Sequence, residues 1–333
     1  MHVPDAVLTP AVAAATGVLG GCGLWWGLKS LEAKLGERTT VLMGTMSAFV
    51  FAAQMVNFPV GPLPISGHLL GGVLSAVMLG PWAGAVVIAA VLIVQCLLFG
   101  DGGLTALGAN FVNMGLIGAV GGYAIYAPIR RAIRGRAGVL IGAMVAAWFS
   151  VLLASGAFAL ELAFSIGFAE FIRILTWMAL VHAGIGLGEA LITGLVLRFI
   201  LLTRPDLVYE ADEEEEPTSG GRLRGWGQVM LAGLAIAVAI GVFLAPFASE
   251  HPDGLEFVGE KMGFLKGEAP AILPVPIPDY QVAKLLDHGH VKLATALAGF
   301  VGTLVVFTVG LGLARVFSPN AKRKPNGIAP DAV

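Results

Sequence analysis

Charge is scarce in this chain. Asp, Glu, Lys and Arg make up 13% of its 333 residues, where an average soluble domain carries about 25%. With 57% hydrophobic residues and several apolar runs of about 20 residues, the length that crosses a hydrocarbon core, the deficit excludes an ordinary soluble fold. It predicts an all-α polytopic transmembrane helical bundle. Cysteine is also scarce. Cys22 and Cys96 are the only two. They sit far apart in apolar runs and match no C-x-x-C pattern, so they read as small packing side chains. Whole motif classes are missing. There is no G-x-x-x-x-G-K-[ST] phosphate loop and no H-E-x-x-H zinc-protease motif. No Ser/His/Asp order stands out, and no basic patch suits nucleic acid. The first residues lack a basic region, and Pro4, Asp5 and Pro10 precede the first apolar run, so a cleavable signal peptide is not expected.

What is present begins with nine apolar spans, at about 10–29, 40–57, 68–80, 82–99, 104–127, 138–157, 176–201, 227–247 and 292–315. The third and fourth are short, joined only at Gly80-Pro81, and the third is open to a tilted or partly re-entrant course. With the N-terminus outside, 15 of the 20 basic residues fall on the cytoplasmic side, Arg130, Arg131, Arg134 and Arg136 among them. The expected orientation is therefore N-terminus out and C-terminus in. Residues 203–225 are polar and contain the acidic run Asp212–Glu216, a solvated cytoplasmic linker in the simplest reading, with ion collection as the alternative. The expected organisation is a seven-span unit over 1–202, the linker 203–225, a two-span unit over 226–318 with an outer segment 248–291, and a tail 319–333. A stripe of Gly44, Ala48 and Ala52 marks one face of the second span for close packing, within the bundle or against another membrane protein.

Six histidines are available. His2 follows Met1 directly. A histidine in second position can chelate through the terminal amine, its own deprotonated amide and its imidazole, a nitrogen-rich set that suits Ni2+, Cu2+ and, under constraint, Co2+. The bland alternative is an exposed tail that happens to carry a histidine. His68 ends an irregular stretch running from Asn57 through three prolines to Ser66-Gly67. On the same side as His2, it could complete four-coordination, or it could serve as an interfacial histidine. Asp5, Asn57 and Ser66 are supporting candidates beside these two segments. Asp101, in the glycine-rich turn between the fourth and fifth spans, and Asn110, inside the fifth, favour packing or support of a ligand over direct ligation. His182 and Glu189, seven residues apart on one helix face, are either a packing pair or an intramembrane acid–base pair, with His182 a further possible ligand.

Four stretches carry a resemblance: MHVPDAVLTP, NFPVGPLPISGHLLGG with LGPWAG, QCLLFGDGGLTALGANFVNMG, and HAGIGLGEALITG. They resemble the NikM/CbiM family, the nickel/cobalt substrate-binding component of energy-coupling-factor transporters. Residues 227–318 are similar to the companion NikN-type unit through Pro252-Asp253-Gly254-Leu255-Glu256 and Pro278-Asp279-Tyr280. The resemblance implies Ni2+ or Co2+ as transported substrate, held by Met1, His2 and His68. It implies a multi-pass protein of a bacterial or archaeal cell membrane. A coupling transmembrane subunit and two ATP-binding subunits would be partners, with membrane lipid around the chain and no nucleic acid. Two departures stand out, Ala6 where relatives have Gly and Ile65 where they have Thr. Cobalt uptake serving cobalamin biosynthesis, a non-transporting metal sensor, and a membrane enzyme built on His182 and Glu189 are the competing readings.

Overall fold

The computed structural model describes residues 1–32, 36–209, 225–265, 272, 274–282 and 290–317. The acidic run of the linker and the tail lie outside these residues. The fold is almost wholly helical. Its helices are α1 (Pro10–Glu32), α2 (Glu37–Gln54), α3 (Gly72–Leu79), α4 (Pro81–Phe99), α5 (Leu107–Ala132), α6 (Gly135–Ile166) and α7 (Phe171–Thr203). Beyond the linker come α8 (Trp226–Phe247), the short α9 (Gly254–Met262) and α10 (Val291–Val316). Among the described residues, seven of these are long and apolar enough to cross a membrane. The chain is a polytopic helical membrane protein. Large apolar side chains such as Leu180, Leu187 and Phe199 stay exposed along α7, as expected of a surface facing lipid.

The expected third span differs most. The helix there is α3, with eight residues, about 12 Å long and too short for a ~30 Å core. Residues 68–71 ahead of it are not helical, and Gly71 takes φ 77°. The extended piece and α3 together cover about 25 Å. Non-helical backbone is tolerated inside a membrane protein only where its polar groups are satisfied. Here they are. Both oxygens of the buried Glu189 carboxyl accept hydrogen bonds, from Leu70 N at 2.6 Å and Gly71 N at 2.9 Å. Gln54 Nε2 donates to Leu70 O at 2.9 Å. Glycine then lets the short helix bury itself: a Cβ on Gly72 would lie 2.6 Å from Gly118 C of α5, and one on Gly84 would lie 2.7 Å from Ala76 N.

The loop before α3 folds into a two-residue antiparallel ribbon, β1 (Phe58–Pro59) with β2 (Ser66–Gly67). It is also where the C-terminal segment docks. Ser66 forms a parallel bridge with Asp253, its amide donates to Pro252 O at 2.8 Å, and its hydroxyl donates to His251 O at 2.7 Å. The small-residue stripe of α2 packs inside this chain. Ala48 and Ala52 cluster with Ala237 of α8, and a Cβ on Gly44 would lie 3.1 Å from Leu311 Cβ of α10.

Candidate functional site

The N-terminal segment runs into the bundle. Met1 is 5% exposed and Val3 1%, although residues 1–8 belong to no helix or strand. Backbone buried this way needs partners, and the chain supplies them from the 100–110 region. Asn110 brackets Val3, accepting from its amide at 2.8 Å and donating to its carbonyl at 3.1 Å. Gly103 N donates to the same carbonyl at 2.8 Å. Asp5 Oδ1 accepts from Thr105 N at 2.8 Å and Thr105 Oγ1 at 2.6 Å. A Cβ on Gly103 would lie 2.3 Å from Asp5 N, so only glycine admits the segment there. Ala6 sits at φ 64°, the left-handed region that disfavours a side chain.

At the inner end of this segment, Met1 N lies 2.5 Å from His68 Nε2. His68 Nδ1 donates to Leu69 O at 3.0 Å, which assigns the ring proton to Nδ1 and leaves the Nε2 lone pair facing the amine. Two nitrogens ~2.0–2.1 Å from one first-row ion and at right angles to each other would lie about 2.9 Å apart. The pair is closer than that, as a hydrogen-bonded ammonium and imidazole, and has to separate by a few tenths of an ångström to admit an ion between them. Asp253 Oδ2 contacts Met1 N and stands 3.7 Å from His68 Nε2.

The His2 ring stacks on His68, with centroids 5.1 Å apart and planes 15° from parallel. Its Nε2 faces Gln95 Oε1 at 3.1 Å and its Nδ1 faces Asp101 Oδ1 at 3.1 Å. Gln95 Nε2 donates onward to Gln54 Oε1 at 2.8 Å, so a chain of amides ties His2 to the carbonyl of Leu70. Tyr280 OH donates to Asp101 Oδ2 at 2.5 Å, and its ring stacks on Phe99 at 4.6 Å.

The surroundings of the two carboxyls at the mouth favour their charged form. Burial alone would raise Asp253, but the terminal ammonium beside it holds it well below the usual carboxylate range. Burial opposes Asp101 likewise, and His2 and the Tyr280 hydroxyl hold it below that range. The Tyr280 phenol is pushed well above its ordinary value by burial and by Asp101.

Of the residues singled out from sequence, Met1, His2, His68, Asp5, Asp101 and Asn110 meet around the buried N-terminus. Ser66 joins the site to the C-terminal unit. Asn57 contributes its carbonyl, which accepts from Ser249 N at 2.9 Å. His182 and Glu189 do not bond to each other, neither as a packing pair nor as an acid–base pair. Both Glu189 oxygens are taken by Leu70 and Gly71, and His182 Nδ1 donates to Met178 O at 2.8 Å. Among the described residues, no three His, Cys, Asp or Glu side chains converge as a metal-ligand set; the convergence lies between a terminal nitrogen and one histidine. Sequence reasoning missed Gln54, Gln95, Asp253 and Tyr280. Gln95 interrupts an apolar run, a usable signal. Asp253 and Tyr280 stood in quoted motifs, but nothing in the sequence placed them against Met1 or Asp101.

A helical membrane protein with its N-terminus folded inward against a loop histidine is the class this geometry defines. Residues 2–207 match the family described as the CbiM cobalt uptake substrate-specific transmembrane region, and residues 227–319 match the PDGLE domain. The chain belongs to the CbiM family, with a PDGLE domain following. It is 34% identical to the putative fused nickel transport protein NikMN of Archaeoglobus fulgidus over 95% of this chain and 98% of that one. It is 26% identical to the cobalt transport protein CbiM of Geobacter sulfurreducens over 81% of this chain and 80% of that one. A solved structure described as a truncated transition metal transporter is similar with a TM-score of 0.54 and 30% identity, covering 60% of this chain and 98% of that chain.

Proposed function

We propose that the chain is the substrate-capturing membrane component of an importer for Ni2+ or Co2+. The single observation that carries this is the buried Met1 nitrogen facing the lone pair of His68 Nε2 at 2.5 Å. Once the Met1 ammonium and the His2 amide have each released a proton to solvent, the ion is held by the Met1 amine, the His2 amide nitrogen, the His2 imidazole and His68 Nε2. Gln95 accepts the His2 Nε2–H and so frees Nδ1 to face the ion, with Asp101 exchanging its contact for the incoming charge. Leu69 O orients His68 in the same way. The carboxylates of Asp101 and Asp253 balance the positive charge in a partly buried site.

The N-terminus lies on the outer side, as the distribution of basic residues supports. Residues 1–202 form the capture unit and 226–318 a two-span unit docked on it. ATP hydrolysis falls to two partner subunits that act through a transmembrane coupling subunit, as the resemblance to energy-coupling-factor transporters implies. The near full-length similarity to a fused nickel transport protein favours Ni2+. The test is calorimetric titration of purified protein with Ni2+ and Co2+. Wild type binds tightly; His68→Ala and a variant with one residue added before Met1 do not. Unchanged affinity in both variants would sink the proposal.

A further inference from the structure

Beside the Met1–His68 pair, a small cavity is lined by Met1, His68, Leu70, His182, Ile185 and Asp253, with Gly67 and Gly254 closing it. His182 is 1% exposed. Its Nδ1 donates to Met178 O at 2.8 Å, which places the ring proton on Nδ1 and leaves Nε2 as a lone pair. That Nε2 has no hydrogen-bond partner. A buried polar atom without a partner costs on the order of 1–3 kcal/mol and calls for an explanation. A histidine whose far nitrogen is fixed by a carbonyl while the other stands free is oriented as a metal ligand is. The approach of the C-terminal unit is close: a Cβ on Gly254 would lie 3.0 Å from His182 Cε1. The neighbouring Asp253 has one oxygen fixed by capping α9, through Leu255 N at 2.8 Å and Glu256 N at 2.9 Å. Its other oxygen turns toward Met1 N and His68.

Resting on the capture site proposed above, we propose a second, weaker position for a divalent transition-metal ion in this cavity, ligated by His182 Nε2 and Asp253 Oδ2. An ion leaving the amine and His68 meets these two donors without crossing open lipid. Two side chains hold it less firmly than the four nitrogens of the chelate. A weaker adjoining position is what passage requires, since an ion must be bound well enough to enter and loosely enough to leave. The two-span unit thereby contributes a ligand through Asp253.

The test is a Co2+ titration of the purified full-length chain in nanodiscs, followed by visible absorption, with thermal melting to confirm folding. His2→Ala/His68→Ala is expected to retain one Co2+ position, weakened roughly 100-fold or more relative to wild type. Adding His182→Asn, which keeps an amide N–H for Met178 O, abolishes it, and adding Asp253→Asn, which keeps the helix cap, does the same. Absence of residual binding in the double variant, or residual binding that survives both added changes, overturns the proposal; the first points to an ordered water at His182 and the second to an adventitious ion only. Tight binding that survives His2→Ala/His68→Ala but falls with His182→Asn supports this position and sinks the capture chelate instead.

Discussion

Glu189 and Gly71 are 118 residues apart, and the carboxyl of one caps the amide of the other at 2.9 Å inside the bundle. With Leu70 N at 2.6 Å on its second oxygen, Glu189 makes a non-helical membrane segment possible. It thereby sets the height and direction of His68. Replacing Glu189 by Ala leaves two buried amides without acceptors, at about 1–3 kcal/mol each. We expect Glu189→Ala to lower the melting temperature markedly in detergent. Glu189→Gln, which keeps one acceptor oxygen, should lower it less. Equal melting of Glu189→Ala and wild type would contradict this role.

Ala6 holds φ 64°, where an L side chain costs roughly 1–2 kcal/mol. Ala6→Gly removes that strain but loosens the unfolded chain, so the net gain should be about 1 kcal/mol or less. It is expected as a rise in melting temperature with Ni2+ affinity kept. Gly103→Ala is the opposite case. Its Cβ would meet the backbone of Asp5 at 2.3 Å, so the N-terminal segment must lift out. Weakened Ni2+ binding, with the helical circular-dichroism signal unchanged, is the expected result; wild-type affinity would contradict the close approach.

Docking of the 252–256 turn should depend on acid in a defined direction. The folded Asp253 carboxyl is held well below its ordinary range, so its pairing with Met1 contributes stability that is fully present above the unfolded value, about 3.9. That contribution is lost as pH falls through the lower, folded value. Hydrogen exchange of α9 amides should therefore stay slow from pH 8 to about 5 and speed up beyond its intrinsic pH trend only below about pH 4. Asp253→Asn should remove that acid step. An acid step of the same size in Asp253→Asn would assign it to another group.

Most of the helical frame was legible because apolar run length is a strong local signal. The runs at 227–247 and 292–315 became α8, Trp226–Phe247, and α10, Val291–Val316. The third span was not legible as it stands, because its extended half depends on Glu189, more than a hundred residues away. The His182–Glu189 spacing suggested a pair, yet a shared helix face says nothing about which partner each side chain finds across the bundle. His2, His68, Asp101 and Asn110 stood out as polar residues in apolar surroundings, and the structure gathers them. Asp253 did not stand out because it reaches Met1 only once the Ser66 bridge has docked the C-terminal turn.

The proposed capture site depends on position as much as on residue type: it needs the nitrogen of Met1 to be terminal as well as to face His68. The most direct measurement is calorimetric Ni2+ titration of a chain with one glycine added ahead of Met1, beside the native chain and a chain tagged after Val333. Every side chain is kept, and only the amine moves. We predict loss of affinity by roughly 100-fold or more in the extended chain and none in the C-terminally tagged one. Equal Ni2+ affinity in the extended and native chains would contradict a site built on the terminal nitrogen.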